Sequence, residues 1–398
     1  MTIAAHTLGC KLNFAETSDL LRRLSEEGNT IVDWSEKADL YIVNTCTVTA
    51  IAEKKCRNAI RQAHRQNPDA KIVVMGCFAQ VAADEIAKMP GVTQVLGNES
   101  KRMLSFSGED RTRTFFKIQD GCDYFCTYCA IPYARGRSRS ASIEETLCAA
   151  RRIASTGAKE VVLTGVNTGT FGQHQSESFL DLLRGLDAIE GIERYRISSI
   201  EPNLLTDNII DFVAQSRAFL PHFHIPLQAG SDHVLQLMHR RYDTALYRSK
   251  LEYIKQAMPD ACIATDVMAG FNGENEEEFE KTLSFIDSLP ISYLHVFTYS
   301  DRPGTAALKL GEKIPVPIRR EHTARLLELS EKKHKAFVAT QLGKRRPVLW
   351  ESSNHNGNME GWTDNYIRLC RPYESALVNT VTEEEIRPEN IISEEISS

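Results

Sequence analysis

Between residues 2 and 107, short apolar runs alternate with amphipathic stretches. IAAHTLG, DLYIVNT and KIVVMG read as strands, whereas TAIAEKKCRNAIRQAHRQ and AADEIAKM carry the spacing of helices. Asn13 and Glu16 suggest a capping box for a further helix that ends near Gly28. A strand–helix repeat implies a parallel sheet. From residue 112 the alternation continues on a larger scale. Strand FFKIQ is followed by a helix over 142–156, strand EVVLTG, helix FLDLLRGLDAI, strand RYRISSI and a helix near 205–216. Strand HFHIPL, a helix over 244–257, strand CIATDVMAG, a helix over 275–288 and strand YLHVFTY complete about six units, enough for a partial or complete parallel barrel with its site at the strand carboxyl ends. After the basic helical stretch REHTARLLELSEKKHKAFVATQLG the pattern shortens to RRPVLWE, YIRLCR and ALVNTVT, separated by turn residues, which reads as a small antiparallel β-domain.

The expected division is therefore residues 1–110, 111–340 and 341–398. A chain of 398 residues exceeds one ordinary core, in keeping with two or three domains. Hydrophobic content of 42% and charged content of 25% are those of a globular protein. The first residues lack a basic region followed by an apolar run and a small-residue cleavage site, and no stretch approaches the length of a membrane span, so a cytoplasmic protein is expected. Ten cysteines are too sparse for a disulfide scaffold and point to metal or redox use. A net charge of −6 argues against general coating of nucleic acid but leaves room for a local basic site.

The cysteines fall in two sets. Cys10, Cys46 and Cys77 each follow a predicted strand and lie about one strand–helix unit apart, so they converge at one sheet edge. Each alone reads as a small buried residue, but three in equivalent positions suggest a shared metal or cluster site. TLGC and VMGC put a glycine before the cysteine, which frees the backbone to approach a ligand. The second set is local: QDGCDYFCTYC places Cys122, Cys126 and Cys129 in a CxxxCxxC array. Three thiolates suit an iron–sulfur cluster with one iron left open. Zinc is the alternative for the CxxC pair, although no second ligand pair stands nearby, and a thioredoxin-type dithiol leaves Cys122 unexplained. Cys56, Cys148, Cys262 and Cys370 lie within helix or strand patterns and read as packing residues, and His222 and His224 as barrel lining or core.

CxxxCxxC with Tyr128 before the last cysteine, at the start of a βα barrel, resembles the radical S-adenosylmethionine superfamily. The resemblance implies that S-adenosylmethionine chelates the open iron and is cleaved by an electron from the cluster. It extends through LTGVN, SSIEP, HIPLQAGSD, TDVMAGFNGE and HVFTYSDRPGT, and implies cofactor contacts from Tyr128, Thr164, Gly165, Asn167, Ser198, Glu201, Gln228 and Arg302. The whole chain looks like a methylthiotransferase with an N-terminal three-cysteine domain, a radical domain of (βα)6 type and a C-terminal TRAM-type β-domain. That family uses two [4Fe-4S] clusters and two molecules of S-adenosylmethionine, one of which methylates sulfur on the auxiliary cluster. The resemblance assigns the auxiliary cluster to Cys10, Cys46 and Cys77.

TLGCKLN followed by Glu16, QDGC and PYARGRSRS are most similar to the branch that modifies threonylcarbamoyladenosine in tRNA; isopentenyladenosine tRNA and a ribosomal-protein aspartate are the substrates of the other branches. Ala130, Phe14 and Ala15 depart from the branch pattern. Arg135, Arg137 and Arg139, and Lys344, Arg345 and Arg346, are candidate contacts to an anticodon stem-loop, with His239-Arg240-Arg241 and Lys332, Lys333 and Lys335 as further basic clusters. Trp362 and Tyr366 are candidates for stacking on bases. The carboxylate of the threonylcarbamoyl group calls for a cation, for which Arg135 and Arg302 are candidates. The implied partners are tRNA and a reductant such as flavodoxin or ferredoxin, with no membrane and a monomeric chain. A non-catalytic RNA-binding iron–sulfur protein or a cluster carrier is the reading from another class.

Overall fold

The computed structural model describes residues 1–108 and 112–392, so the expected boundary at 110/111 lies outside the described residues. The first sheet is parallel, in the order β2-β1-β3-β4-β5. Its elements are β1 (Thr2–Thr7), α1 (Lys11–Glu26), β2 (Thr30–Ile31), β3 (Leu40–Thr45), α2 (Ala50–Gln66), β4 (Lys71–Gly76), α3 (Cys77–Val81), α4 (Ala83–Ala87) and β5 (Val92–Leu96). Thr7 pairs with Asn44 and Thr45 with Gly76, so β1, β3 and β4 end level. Level ends are what bring sequence-distant loops to one edge. The capping box expected at Asn13 and Glu16 does not form. Cys10 is the N-cap of α1 and makes no side-chain cap bond, while Asn13 and Glu16 lie inside the helix and are buried.

The central region begins with β6 (Ser105–Phe106), β7 (Arg113–Lys117), β8 (Gln119–Asp120), α5 (Ile131–Arg135), β9 (Arg139–Ser140), α6 (Ile143–Ser155), β10 (Glu160–Thr164), α7 (Phe179–Asp187) and β11 (Arg194–Ile197). It continues with α8 (Asp207–Gln215), β12 (His222–His224), α9 (Asp232–Leu237), α10 (Thr244–Ala257), β13 (Cys262–Ala269), α11 (Glu276–Ser288), β14 (Tyr293–Thr298) and α12 (Val316–Ala339). β7, β10 and β11 pair in parallel, as do β12, β13 and β14, and bridges Tyr195–Phe219 and Ser199–His224 join the two groups. Six parallel strands in chain order make a partial barrel, as expected. Ser142 closes a capping box with Glu145 at the start of α6.

Alternation along the strands sorts side chains between the two faces. Phe116, Val161, Leu163 and Ile197 pack outward in the large core with the helices. Phe115 and Val162 face inward, where Ala15 and Phe14 of α1 pack on them, so α1 covers part of the barrel interior. The departures at Phe14 and Ala15 thus fill a domain contact, with Phe14 edge-on to Phe115 at 5.8 Å.

The last sheet, in the order β17-β16-β15-β18, is antiparallel and holds β15 (Arg345–Trp350), β16 (Asn358–Thr363), β17 (Arg368–Pro372) and β18 (Val381–Glu385). It sits under the amino ends of the barrel strands. Arg194 donates to the Trp362 and Thr363 carbonyls at 3.1 Å each, and Arg196 to the Asp364 carbonyl at 3.1 Å. Tyr366 packs on His222 with centroids 4.5 Å apart and the rings tilted by 35°, and Arg113 lies over the Trp362 ring. Trp362 is buried there, so it and Tyr366 close the barrel base where base stacking was expected. Glu160, fully buried, meets Arg194 at 2.9 Å and Arg196 at 3.0 Å. Burial alone would raise its carboxyl; Arg196, Arg194 and Arg113 hold it at about 2.

Candidate active site

Cys10, Cys46 and Cys77 meet at the carboxyl edge of the first sheet. Gly9 (φ +106°) lies against Cys46 so closely that a Cβ there would come within 2.8 Å of the Cys46 Cβ and 3.0 Å of its Sγ. Gly76 (φ +105°) leaves 2.5 Å for a Cβ against the Thr45 carbonyl. Glycine before the cysteine is therefore required by packing between the loops as well as by φ. Cys56, expected as a packing residue, also supports this site: its Sγ accepts from the Cys46 amide at 3.3 Å. Cys262 is buried, Cys370 half-buried and Cys148 exposed, so Cys148 is not a packing residue.

A buried polar network backs the first triad. Arg135 donates Nε–H to the Cys77 Sγ at 3.2 Å, Nη1–H to Glu16 at 3.0 Å and to Asp120 at 2.8 Å, and Nη2–H to Asn13 at 2.6 Å. Lys117 reaches Glu16 and Asp120 at 2.8 Å each, and Lys101 also bonds Glu16. Burial alone would push the Glu16 carboxyl up; Arg135, Lys101 and Lys117 overcome it and hold the group well below the usual carboxylate range. Asn13, Glu16, Lys101, Lys117 and Asp120 were missed as site residues. The available signal was a polar pair, Asn13 and Glu16, on one helical face beside Cys10 and among apolar neighbours.

The second triad is held by the loop between β8 and α5. The Tyr124 amide points to the Cys122 Sγ at 3.5 Å and the Ile131 amide to the Cys129 Sγ at 3.4 Å. Phe125 has φ +48°, a strained conformation for an aromatic residue, inside this loop. Arg240, read from sequence as part of an RNA-facing cluster, is buried here. It donates Nη1–H to the Cys126 Sγ at 3.2 Å and to the Tyr128 hydroxyl at 3.3 Å, Nε–H to the Tyr242 hydroxyl at 2.9 Å, and Nη2–H to Glu201. Burial pushes the free thiols of Cys46 and Cys129 up to about 12 and that of Cys122 up to about 11, so ligation expels their protons.

Around this loop the strand ends present Thr164 Oγ1 and Ser198 Oγ, buried and bonding nothing among the described residues, with the Asn167 amide beside the Tyr124 hydroxyl. Gly165 leaves 2.9 Å between a Cβ and the Gln119 Oε1, which accepts from the Val166 and Asn167 amides at 2.8 and 2.9 Å. Gln228 (φ +68°) is held by its backbone to Asp266 and Met268. Arg302 is buried and bonds Glu53 of α2; its Nε and Nη1 have no hydrogen-bond partner among the described residues. Orphaned buried polar groups of this kind are costly and fit a polar cofactor. On the inner face of β12, β13 and β14, His224 Nε2 meets Asp266 Oδ1 at 2.8 Å beside His295, donor atoms within 4.8 Å of one another. His222 and His224 thus line the barrel.

Several expected RNA contacts are otherwise engaged. Arg135 is buried as described, because every nitrogen of its guanidinium is taken. Arg346 pairs with Asp260 and Asp364 at 3.0 Å each and Lys344 with Asp260, joining the β-domain to the barrel; Arg345 donates to the Glu383 carbonyl. Lys332 pairs with Asp287, Lys333 caps the Asp287 and Leu289 carbonyls, and Lys335 pairs with Glu331. Arg139 reaches Asp120 at 2.9 Å with part of its side chain exposed. Arg137 is exposed, over the Phe125 ring at 4.6 Å and 3.5 Å from Asp123, and Tyr133, an exposed aromatic the sequence reading missed, lies edge-on to Phe125 at 5.9 Å.

Residues 116–286 match the Radical SAM superfamily, and residues 2–97 match a family described as Uncharacterized protein family UPF0004. The chain is 38% identical to the threonylcarbamoyladenosine tRNA methylthiotransferase MtaB of Bacillus subtilis (strain 168), over 92% of this chain and 90% of that protein. To the protein of the same name from Aquifex aeolicus (strain VF5) it is 37% identical, over 93% and 97%. The chain belongs to the radical S-adenosylmethionine methylthiotransferases. Among solved structures, the radical S-adenosylmethionine methyltransferase TsrM from Kitasatospora setae matches with a TM-score of 0.55 at 13% identity, over 75% of this chain and 74% of that one, which speaks to the fold alone. The protein is thus a tRNA methylthiotransferase of MtaB type that uses [4Fe-4S] clusters and S-adenosylmethionine. Three thiols with N–H donors aimed at sulfur, next to unpartnered buried polar atoms, are a donor set that fits a methylthiotransferase's cofactors.

Proposed function

We propose that the enzyme places a methylthio group on C2 of N6-threonylcarbamoyladenosine at position 37 of tRNA, using two molecules of S-adenosylmethionine and two [4Fe-4S] clusters. In this reading Cys122, Cys126 and Cys129 hold the cluster that binds S-adenosylmethionine, and Cys10, Cys46 and Cys77 hold the auxiliary one. The observation that carries it is Arg135, which follows Cys129 in α5 and reaches across to Cys77, so that two cysteine triads are built against each other. Two cofactors that act on one base must share a cavity. When bound, the clusters and S-adenosylmethionine supply radical and methyl-transfer chemistry. The chain's own groups position and shield: Thr164, Asn167 and Ser198 offer hydrogen bonds, Gln119 fixes the 165–167 turn, and α1 covers the barrel interior. Arg137, Arg139 and Tyr133 form a basic and aromatic rim suited to an anticodon loop. What supports the branch is the name shared by relatives at 38 and 37% identity, although a relative from Desulfitobacterium hafniense (strain Y51) at 31% is a tRNA-2-methylthio-N(6)-dimethylallyladenosine synthase. No helix among the described residues is long and apolar enough to cross a membrane. A cytoplasmic monomer reduced by a flavodoxin or ferredoxin completes the reading.

The test is mass spectrometry of tRNA nucleosides from a bacterial host that lacks its own methylthiotransferases but makes both precursor bases. The 2-methylthio derivative of threonylcarbamoyladenosine should appear only with this gene and vanish with Cys126→Ala. Appearance of the isopentenyl product alone would move the enzyme to the other tRNA branch.

A further inference from the structure

Each cysteine triad has one sulfur that accepts from a buried arginine, and in each the arginine is tied to a glutamate. At the first, Arg135 gives Nε–H to Cys77 at 3.2 Å and is held by Glu16. At the second, Arg240 gives Nη1–H to Cys126 at 3.2 Å and is held by Glu201. The two arginines come from unrelated places in the chain, one at the end of α5 and the other in the turn after α9. Neither faces solvent, with side-chain exposures of 1 and 3%. A buried guanidinium that spends a donor on sulfur gives up a stronger oxygen acceptor, so two independent instances call for a function in common.

We infer that Arg135 and Arg240 are positioning residues that set the reduction potential of the auxiliary and the S-adenosylmethionine-binding cluster respectively. The inference rests on the assignment of the two triads proposed above. A charge-assisted hydrogen bond to a cluster thiolate withdraws electron density from it, and a fixed positive charge beside the cluster favours the added electron. Both effects raise the potential. The glutamates hold each guanidinium in place, so the donor direction is fixed before the cluster is reduced. Because Arg135 belongs to the segment that follows Cys129, and Cys77 opens α3 at the edge of the first sheet, the auxiliary cluster's potential is set by a residue from the radical domain.

The experiment is a redox titration of the anaerobically loaded full-length enzyme, followed by electron paramagnetic resonance, with added S-adenosylmethionine marking the signal of the cluster it binds. Arg135→Gln should lower the auxiliary midpoint by about tenfold in reduced fraction, ~59 mV for a one-electron couple, and leave the other unmoved. Arg240→Gln should do the converse, and Arg→Lys at either site, which keeps charge without the fork, should fall between. Unmoved midpoints at wild-type iron and sulfide content overturn the inference. So does loss of the cluster in both the Gln and Lys variants with native circular dichroism, which would make the arginines structural supports. Wild-type protein that binds iron for one cluster only would overturn the two-cluster reading itself, and is told apart by the iron count before any titration.

Discussion

The two cysteine triads solve one problem in opposite ways. Cys122, Cys126 and Cys129 sit in a single loop, whose own amides at Tyr124 and Ile131 point at the sulfurs. Cys10, Cys46 and Cys77 come from three strand ends, and their arrangement depends on β1, β3 and β4 ending level. The surroundings differ as well. Behind the first-sheet triad three buried cations, Arg135, Lys101 and Lys117, meet two carboxylates, Glu16 and Asp120. Behind the loop triad a single arginine meets Glu201. A local loop needs little beyond its own backbone, whereas a site assembled across elements needs an ionic frame.

The largest expected effect separates the triads by chemistry. Cys126→Ala should abolish formation of 5′-deoxyadenosine, while Cys46→Ala should keep it and lose the methylthiolated nucleoside, both read by mass spectrometry. If Cys46→Ala also loses 5′-deoxyadenosine, the division of labour is wrong. Next comes the ionic frame. Glu16→Gln removes the carboxylate shared by three buried cations, leaving Lys101 with none and Arg135 and Lys117 with Asp120 alone, and should cost about 3–5 kcal/mol in urea unfolding, more than Glu201→Gln, which affects one.

The same carboxylate sets a pH signature. Glu16 is held below its ordinary value of 4.5, so its contribution is fully present above that pH and is lost as pH falls through the depressed value. Wild type should therefore lose stability on acidification below about pH 4.5, and Glu16→Gln should flatten that limb. A smaller effect is expected at Gly9. Gly9→Ala puts a Cβ 2.8 Å from Cys46 at φ +106° and should cost about 1–3 kcal/mol. It should reduce iron at the first triad and spare the loop triad. Smallest is Arg137→Ala: exposed and outside both frames, it should leave stability within about 0.5 kcal/mol and reduce the salt slope of tRNA binding by about one.

How much of this was legible in the sequence follows from the same contrast. CxxxCxxC declares itself because its geometry is local, and the first triad could be read once strand–helix periodicity placed each cysteine at an equivalent position. β5 was not read, since Thr93 and Gln94 are exposed at the sheet edge and break the apolar run. Charge was the least legible property. Arg135, Arg240 and Arg346 looked in sequence like Arg137, yet the first three are enclosed by carboxylates contributed from distant segments. Only the fold tells a frame from a solvated face. Trp362 and Tyr366 failed for a related reason: a tertiary contact with His222 and Arg113 claimed rings that composition alone left free.

That contact at the barrel base bears on how such a protein can be rebuilt. A last sheet that furnishes the floor of the barrel is not a bead on a string, and cannot be exchanged for another β-module without also replacing the carbonyls that receive Arg194 and Arg196. Recombination at this junction has to conserve a fitted joint, so any replacement for the last sheet must arrive already cut to the barrel's floor.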